Sequence, residues 1–339
     1  MLIASLLLFY QLHLIRMDYA EDHKGIKLQL VENFGKLTLQ TRSNFEERPD
    51  LEDVYYGFLR NLHALHPRTT SLKVIGRSYL RRKIYSFEIE HSDYRGGTIF
   101  IDAGQNGNEW ESVNLALYLL KNFLTTHISL LLWLRVVFVS LVNPDGYEEA
   151  ENNKTFNTNL KGDIHCPGVN IAMNFKVEGP PKFTTCDKYQ GLRYFSEKES
   201  LNIKNYIEKL GDVKLYVTLH SKEEGFIAYP FAYKEEKHGS EKIAKIMFNA
   251  LRDHSIMKNE KFGSLSEIMK EKFSGSSIDW ACSEMKIPSC VYFSVSNKLS
   301  DVRESYAAYL EALKYGIIEL QLNDIDVGDA FLNETLSKN

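Results

Sequence analysis

Four cysteines are the reactive side chains whose pattern is easiest to interpret in this sequence: Cys166, Cys186, Cys282 and Cys290. No pair has the Cys-X-X-Cys spacing of a zinc knuckle, so a structural zinc site is not expected. An even number of cysteines in a chain with a secretory leader suggests disulfides. Four cysteines allow three connectivities, and the sequence alone does not choose among them.

The leader is the N-terminal stretch MLIASLLLFYQLHLI, whose apolar core from Leu2 to Tyr10 fits the h-region of a signal peptide. No Lys or Arg precedes that core, so an unprocessed apolar N-terminus is the alternative. We predict a signal peptide over residues 1–20 and a secreted, extracellular protein with no membrane segment in its mature form. The sequons Asn153-Lys-Thr and Asn333-Glu-Thr are candidate glycosylation sites in such a protein.

The composition is that of an ordinary globular protein. The 339 residues are 44% hydrophobic and 25% charged, with a net charge of −4, which excludes a disordered or fibrous chain. The near balance of charges gives no support for binding to nucleic acid. The apolar stretch 129–142 is too short for a membrane helix, so we predict a buried strand there.

Hydrophobic periodicity predicts helices that alternate with short strands along the chain. The helices fall near 51–65, 109–124, 196–210, 240–252, 275–280 and 301–320, and the strands near 72–75, 85–89, 98–102, 134–142, 213–219 and 289–295. Ser196 and Glu199 have the spacing of a capping box. The alternation predicts one α/β domain over residues 49–322, a mixed central β-sheet with helices on both faces. A short segment (21–48) would precede it, and a polar C-terminal tail (323–339) would follow it.

Five segments in chain order resemble the zinc metallocarboxypeptidases of the carboxypeptidase A/B type. The segments are Asp102-Ala-Gly-Gln-Asn-Gly-Asn-Glu-Trp110, Asn143-Pro-Asp-Gly-Tyr147, Gly168-Val-Asn-Ile-Ala-Met-Asn-Phe175, His220-Ser221 and Gly275-Ser-Ser-Ile-Asp-Trp280. One such segment would be weak evidence, whereas five in the same order indicate the family. The resemblance implies the fold of that family over most of the chain.

The resemblance also implies a catalytic zinc, held by a His and a Glu in one turn and by a distant His, with a fourth position for water. Glu109 and His220 match two of these ligands, but Asn106 occupies the position of the first His. An Asn amide is a poor zinc ligand, so no cofactor is expected. Glu109 and His220 would then remain as a hydrogen-bonded pair, and the alternative is a weak or adventitious zinc site.

The base and the substrate anchor that the resemblance implies are also substituted. Ser294 stands at the position of the general base, and a hydroxyl cannot take a proton from water near neutral pH without a base of its own. The pair that anchors the terminal carboxylate of a substrate matches Ala172 and Met173. Neither side chain can form the bidentate contact that an arginine gives a carboxylate.

Four further positions follow from the same resemblance. Asn108 and Asn153 match two other substrate-binding arginines, and Glu271 matches the tyrosine that closes over substrate, where a carboxylate would repel a C-terminal carboxylate. Ile278 matches the floor of the specificity pocket. An apolar residue there implies an apolar or aromatic C-terminal side chain, and core packing is the other interpretation.

The resemblance places a loop disulfide at Cys166 and Cys186. Cys282 and Cys290 could form a second bond or remain buried thiols. Members of the A/B type carry an N-terminal activation domain, and the segment 21–48 is too short to fold as one.

Loss of a metal ligand, the base and the anchor together indicates a pseudoenzyme. We expect a secreted carboxypeptidase-like protein without peptidase activity that binds a peptide or protein ligand, and neither nucleic acid nor a membrane as partner. One alternative is an active zinc metallocarboxypeptidase with an altered metal site and an apolar or aromatic preference. The other is a structural secreted domain with no defined ligand.

Overall fold

A mixed β-sheet runs through the part of the chain that the computed structural model describes. That part comprises residues 45, 47–90, 94, 96–131, 134–177, 185–234, 238–256, 258–298 and 302–336, without the side chains of 53–54, 302–303 and 323–336. Its eight strands are β1 (Thr70–Arg77), β2 (Lys83–Glu90), β3 (Thr98–Ala103), β4 (Arg135–Val139), β5 (Val213–Lys222), β6 (Phe226–Tyr229), β7 (Lys261–Ser264) and β8 (Ser289–Ser296). Their order across the sheet is β1-β2-β4-β3-β5-β8-β6-β7.

The same part of the chain contains eight α-helices. They are α1 (Gly57–Leu65), α2 (Trp110–Thr126), α3 (Pro144–Asn152), α4 (Lys198–Leu210), α5 (Glu241–His254), α6 (Leu265–Met269), α7 (Ser277–Ser283) and α8 (Val302–Leu336). A π-helical turn, Leu51–Tyr56, leads directly into α1. No helix among these described residues is both long and apolar enough to cross a membrane.

Alternation along the strands divides the buried side chains between two cores, because successive residues point to opposite faces of a sheet. On β8, Val291 and Phe293 belong to the core that α2, α5 and α8 cover. Cys290 and Tyr292 belong to the opposite core, which α4 and α7 cover. The predicted mixed sheet with helices on both faces is therefore confirmed.

The four central strands bring the candidate residues to one edge of the sheet. β4, β3, β5 and β8 are mutually parallel, so their carboxyl ends lie together. Asp102 on β3 pairs in register with Thr218 on β5, and His220 on β5 pairs with Ser294 on β8. In open α/β sheets this edge is where ligands bind.

Several predicted boundaries differ from the observed ones. The strands β6 and β7, of four residues each, and the five-residue α6 were not predicted, because such short runs carry little periodic signal. The last helix continues to Leu336, beyond the polar tail predicted from residue 323. Ala330, Leu332 and Leu336, which have high helix propensity, lie in this stretch.

The predicted capping box at the start of α4 was wrong. Glu197 is the N-cap of that helix, without a side-chain capping bond, and Ser196 Oγ donates to Glu197 Oε1 instead. Glu199 is fully buried and accepts a hydrogen bond from the Tyr79 backbone N–H. A tertiary contact has therefore taken the carboxylate that a local cap would have used.

The predicted signal peptide (1–20) lies outside the described residues, as does most of the segment 21–48. The side chain of Asn333, the second candidate glycosylation site, is outside them too.

Candidate functional site

The turn between β3 and α2 positions the first two candidate residues. Gly104 follows β3 with a φ of +63°, and an added Cβ there would lie 2.7 Å from the side chain of Leu141. This conformation favours glycine and turns the chain sharply. The turn brings Asn106 next to Glu109, the N-cap of α2. Asn106 Nδ2 donates a 2.8 Å hydrogen bond to Glu109 Oε1, and both side chains are buried.

His220 approaches the same carboxylate from the end of β5. Its Nδ1 lies 2.7 Å from Glu109 Oε2, and its Nε2 lies 3.2 Å from Thr218 Oγ1. An ionised carboxylate only accepts hydrogen bonds, so Nδ1 carries the hydrogen and donates it. The imidazole also stacks on the Tyr292 ring at a centroid distance of 4.4 Å. Only 2% of the His220 surface is exposed, so its ring is almost completely surrounded by other protein atoms.

Lys222 is a third partner of Glu109, and it was not predicted from the sequence. Its Nζ donates a 2.6 Å hydrogen bond to Glu109 Oε1. Burial alone would raise the pKa of the Glu109 carboxyl, but Lys222 and His220 outweigh it and hold that pKa well below its usual range. The sequence did contain a signal for Lys222. Residues two apart on a strand point to the same face of the sheet, so Lys222 had to share the face of His220.

The donors around Glu109 do not fit the zinc ion that the family resemblance implies. Both carboxylate oxygens are engaged by Lys222, Asn106 and His220. The protonated Nδ1 of His220 has no lone pair for a metal, and its Nε2 is turned toward Thr218 Oγ1 instead of Glu109. Asn106 Oδ1 is a weak metal ligand. Across the described ranges, no group of three His, Cys, Asp or Glu side chains could hold a metal ion.

Ser294 lies on β8 beside His220. Its side chain is fully buried, and its Oγ has no hydrogen-bond partner within the described residues. The Tyr309 hydroxyl donates to the Ser294 backbone carbonyl, which ties this part of β8 to α8. A hydroxyl with no hydrogen-bonded base beside it is not equipped to take a proton from water.

The positions expected to anchor a substrate carry no cationic side chain. Ala172 and Met173 lie in the 3₁₀ turn Ile171–Met173 and are half-buried. Asn108 is half-buried in the turn that also carries Glu109. Neutral side chains at these three positions leave a terminal carboxylate without the bidentate partner that it needs for tight binding.

Asn153 is the other position matched to a substrate-binding arginine. It is exposed at the C-cap of α3, where its Oδ1 accepts a 2.9 Å hydrogen bond from Thr155 Oγ1. From the same loop, the Asn157 carbonyl accepts a 3.2 Å hydrogen bond from the Gly107 N–H, inside the turn that carries Glu109. Asn153 is thus an accessible candidate for glycosylation.

Glu271 and Ile278, the last two positions taken from the resemblance, differ in exposure. Glu271 is exposed and forms an ion pair with Lys188. The predicted repulsion of a substrate carboxylate is therefore offset by a lysine that the sequence analysis did not consider. Ile278 is fully buried in α7, within the core that contains Trp280 and Cys282.

The four cysteines form two disulfides. Cys166 is bonded to Cys186, as the resemblance implied, and Cys282 is bonded to Cys290. The second bond joins the end of α7 to β8, the strand that carries Ser294. Disulfides are therefore confirmed for all four cysteines, and the alternative of buried thiols at Cys282 and Cys290 is excluded.

Comparison with known proteins gives the same family as the sequence motifs. Residues 55–315 match the family model Peptidase_M14, described as zinc carboxypeptidase. Carboxypeptidase A2 of Rattus norvegicus is 28% identical over 256 residues, which are 70% of this chain and 60% of that relative. The chain thus spans about three fifths of the length of the relative.

Two solved structures share the fold. Bovine thrombin-activatable fibrinolysis inhibitor in complex with tick carboxypeptidase inhibitor aligns with a TM-score of 0.73 and 20% identity, over 82% of this chain and 99% of that one. Carboxypeptidase A from Helicoverpa armigera also aligns with a TM-score of 0.73, at 18% identity, over 87% and 85%. The family model extends from the π-helical turn before α1 into α8 and includes the turn that carries Glu109. The chain therefore belongs to the zinc carboxypeptidase family.

Proposed function

We propose that this chain has lost the peptidase activity of its family and acts outside the cell by binding a protein or peptide. The observation that carries the proposal is the set of donors around Glu109. Its two oxygens already accept hydrogen bonds from Lys222, Asn106 and His220, so a metal ion would have to compete with three donors, one of them positively charged. Without a bound metal, nothing at this centre would polarise a peptide carbonyl or acidify water.

The missing base supports the same proposal. A positioned general base contributes about 10²–10⁴ in rate. Within the described part of the chain, the Ser294 hydroxyl has no hydrogen-bond partner that would let it serve as one. Access is also restricted, since the exposed fraction is 2% for His220 and 0% for Ser294. Substrate hydrolysis would need the centre to open as well as to regain its chemistry.

Binding at the outer loops is compatible with a closed centre. Ile164 and Leu192 are large apolar side chains with exposed fractions of 94% and 70%. Their loops pack together, because Tyr189 hydroxyl donates to Asp163 Oδ2 and shares a buried cluster with Cys166. These two exposed side chains would give a protein partner apolar contacts on one loop system. A protein inhibitor is the partner of the related bovine protein in its solved complex.

Two disulfides support the extracellular part of the proposal, since such bonds persist in oxidising compartments. Mass spectrometry of protein from a secreting host would test both the bonds and cleavage of the leader near residue 20. An intracellular, uncleaved product would contradict secretion.

Hydrolysis of C-terminal aromatic and aliphatic dipeptide substrates is the decisive test of lost activity. We expect no turnover above that of the matched control His220→Ala, with or without added zinc. Chelator-sensitive turnover that His220→Ala abolishes would instead establish the active alternative with an altered metal site.

The structural domain without a ligand is the second candidate, and burial of His220 and Ser294 favours it. Surface plasmon resonance with tick carboxypeptidase inhibitor as the probe separates the two. Binding that Ile164→Asp or Leu192→Asp weakens at least about tenfold, but Ile256→Asp at another exposed apolar site does not, supports the binding role. No saturable binding favours the structural domain.

A further inference from the structure

We propose that the ammonium group of Lys222 takes the place of the metal cation in this chain. It supplies the positive charge that the buried Glu109 carboxylate needs, and it excludes a divalent ion from that carboxylate. The inference rests on the proposed loss of zinc-dependent hydrolysis, and it adds a mechanism by which the site keeps its fold without the metal.

The geometry of β5 delivers the ammonium to the carboxylate. His220 and Lys222 are two residues apart on the strand, so both side chains leave the same face of the sheet. The Lys222 side chain is 36% exposed, whereas that of Glu109 is 4% exposed. The lysine stem therefore enters from the solvent edge and places its charged end 2.6 Å from Glu109 Oε1.

A buried carboxylate is costly unless it is paired and fully hydrogen-bonded. Asn106 and His220 supply hydrogen bonds to Glu109, and Lys222 adds a third donor that carries a formal charge. In the related zinc sites the metal would provide that charge. The lysine thus meets the same electrostatic requirement with a group that cannot dissociate from the chain.

The neighbouring lysines have other partners. Lys298 forms an ion pair with Glu223, and Lys261 forms one with Glu224, both at the turn that follows Lys222. The Glu223 and Glu224 carboxylates are thereby each matched to one lysine. Of these three ion pairs, that of Lys222 with Glu109 is the one that reaches a buried carboxylate.

Ammonium and zinc compete for Glu109 Oε1. Zinc binds a carboxylate oxygen at about 2.0–2.2 Å, which would place it against an ammonium 2.6 Å from the same oxygen. Two cations at such a separation repel each other strongly in a buried site. Restoring the missing imidazole at position 106 would therefore not be sufficient for zinc binding while Lys222 remains.

Thermal unfolding of charge variants tests the structural half of the proposal. Lys222→Met keeps the apolar stem and removes the charge, and we expect it to lower the unfolding midpoint by about 3–8 °C. Lys222→Arg keeps the charge and should lower the unfolding midpoint by less than about half as much as Lys222→Met does. Lys298→Met, which breaks the exposed pair with Glu223, is the matched control and should change the midpoint by less than about 1 °C. A Lys222→Met midpoint equal to that of Lys298→Met overturns the proposal.

Isothermal titration with zinc chloride tests the exclusion of metal. We expect the double variant Asn106→His/Lys222→Met to bind zinc at least about tenfold more tightly than Asn106→His alone. Equal binding by the two variants, including no detectable binding by either, overturns the exclusion.

The zinc titration and the hydrolysis assay test different proposals, and either one can fail alone. Turnover by the unsubstituted chain would refute the proposed loss of activity whatever the zinc titration gives. An inactive chain in which Asn106→His binds zinc as tightly as the double variant would refute only the role of Lys222.

Discussion

Lys188 Nζ lies 2.5 Å from Glu271 Oε2, and this ion pair joins the turn Cys186–Lys188 to the loop that follows α6. Two residues further along the first segment, Gln190 Nε2 donates a 2.7 Å hydrogen bond to the Ser274 carbonyl. The two segments are therefore held together by one exposed charge pair and one buried polar contact. The buried hydrogen bond should contribute more to stability than the ion pair, because water screens the charges of the ion pair and is excluded from the hydrogen bond.

Glu271→Gln should consequently change the free energy of unfolding by less than about 0.5 kcal/mol. Both side chains of the ion pair are partly in solvent, with exposed fractions of 37% and 51%. Gln190→Ala leaves the buried Ser274 carbonyl without its donor and should cost about 1–3 kcal/mol. A double-mutant cycle of Lys188→Met and Glu271→Gln in urea measures the coupling. A coupling energy above about 2 kcal/mol would contradict this ranking.

Ser294→Ala is predicted to be neutral or stabilising by up to about 1 kcal/mol. The Ser294 hydroxyl is fully buried and has no hydrogen-bond partner among the described residues, so folding removes it from water without compensation. Chemical denaturation measures the difference directly.

Ser200→Ala is the matched control for that experiment. Ser200 is also fully buried, but its hydroxyl donates a 2.6 Å hydrogen bond to Asn174 Oδ1. Its removal should cost about 1–3 kcal/mol. If both alanine variants lose the same free energy, the Ser294 hydroxyl has a partner that the structure does not contain.

The sequence was sufficient to predict the sheet and its coverage by helices, because long periodic segments such as β5 and α2 carry strong signals. The turn that carries Glu109 could also be located, since motif residues fix its geometry locally. The short strands β6 and β7 escaped prediction because their stability comes from pairing within the sheet.

The contacts of individual charged side chains were the least predictable feature. Lys222 and Lys188 were not identified as partners of Glu109 and Glu271, although each partner had been singled out. A lysine reaches many positions through four rotatable bonds, so its partner depends on the tertiary fold. Because Lys222 lies on a strand, its possible partners were limited to one face of the sheet. No comparable limit applied to the partners of Lys188.

The two disulfides should contribute unequally to stability. In the chain-entropy model, the bond between Cys166 and Cys186, 20 residues apart, contributes about 3 kcal/mol, and the bond between Cys282 and Cys290, 8 residues apart, contributes about 2.5 kcal/mol. Paired Cys→Ala variants, compared by denaturation under oxidising conditions, measure each contribution.

Burial of the cysteines changes the ranking of the two disulfides expected from loop length alone. Cys282 and Cys290 lie in the core, so their replacement by Ala also removes packing, whereas Cys186 is exposed. We therefore expect replacement of Cys282 and Cys290 to cost at least as much unfolding free energy as replacement of Cys166 and Cys186. A larger loss for the Cys166–Cys186 pair would show that loop closure dominates packing at these sites.

Stability should also depend on pH through Glu199. Burial raises the pKa of Glu199 to about 7; the Tyr79 N–H that it accepts opposes this rise, and the nearby Asp145 and Glu197 add to it. The folded state therefore binds this proton more tightly than the unfolded state does, whose glutamate titrates near 4.3. Between about pH 4.3 and pH 7, the free energy of unfolding falls as the pH rises, and the full loss of about 4 kcal/mol is reached above pH 7.

Glu199→Gln removes this titration and keeps an oxygen that can accept from the Tyr79 N–H. Relative to the unsubstituted chain, the variant should gain about 2–3 kcal/mol in unfolding free energy between pH 4.5 and pH 8. Other buried carboxyls such as Asp279, whose pKa burial also raises to about 7, titrate equally in both proteins and cancel in the comparison. Glu208→Gln, at a partly exposed position on the same helix α4, is the matched control for the removal of one carboxylate from that helix. A pH-independent difference for Glu199→Gln would mean that Glu199 is ionised in the folded protein, with a cation or water compensating its charge.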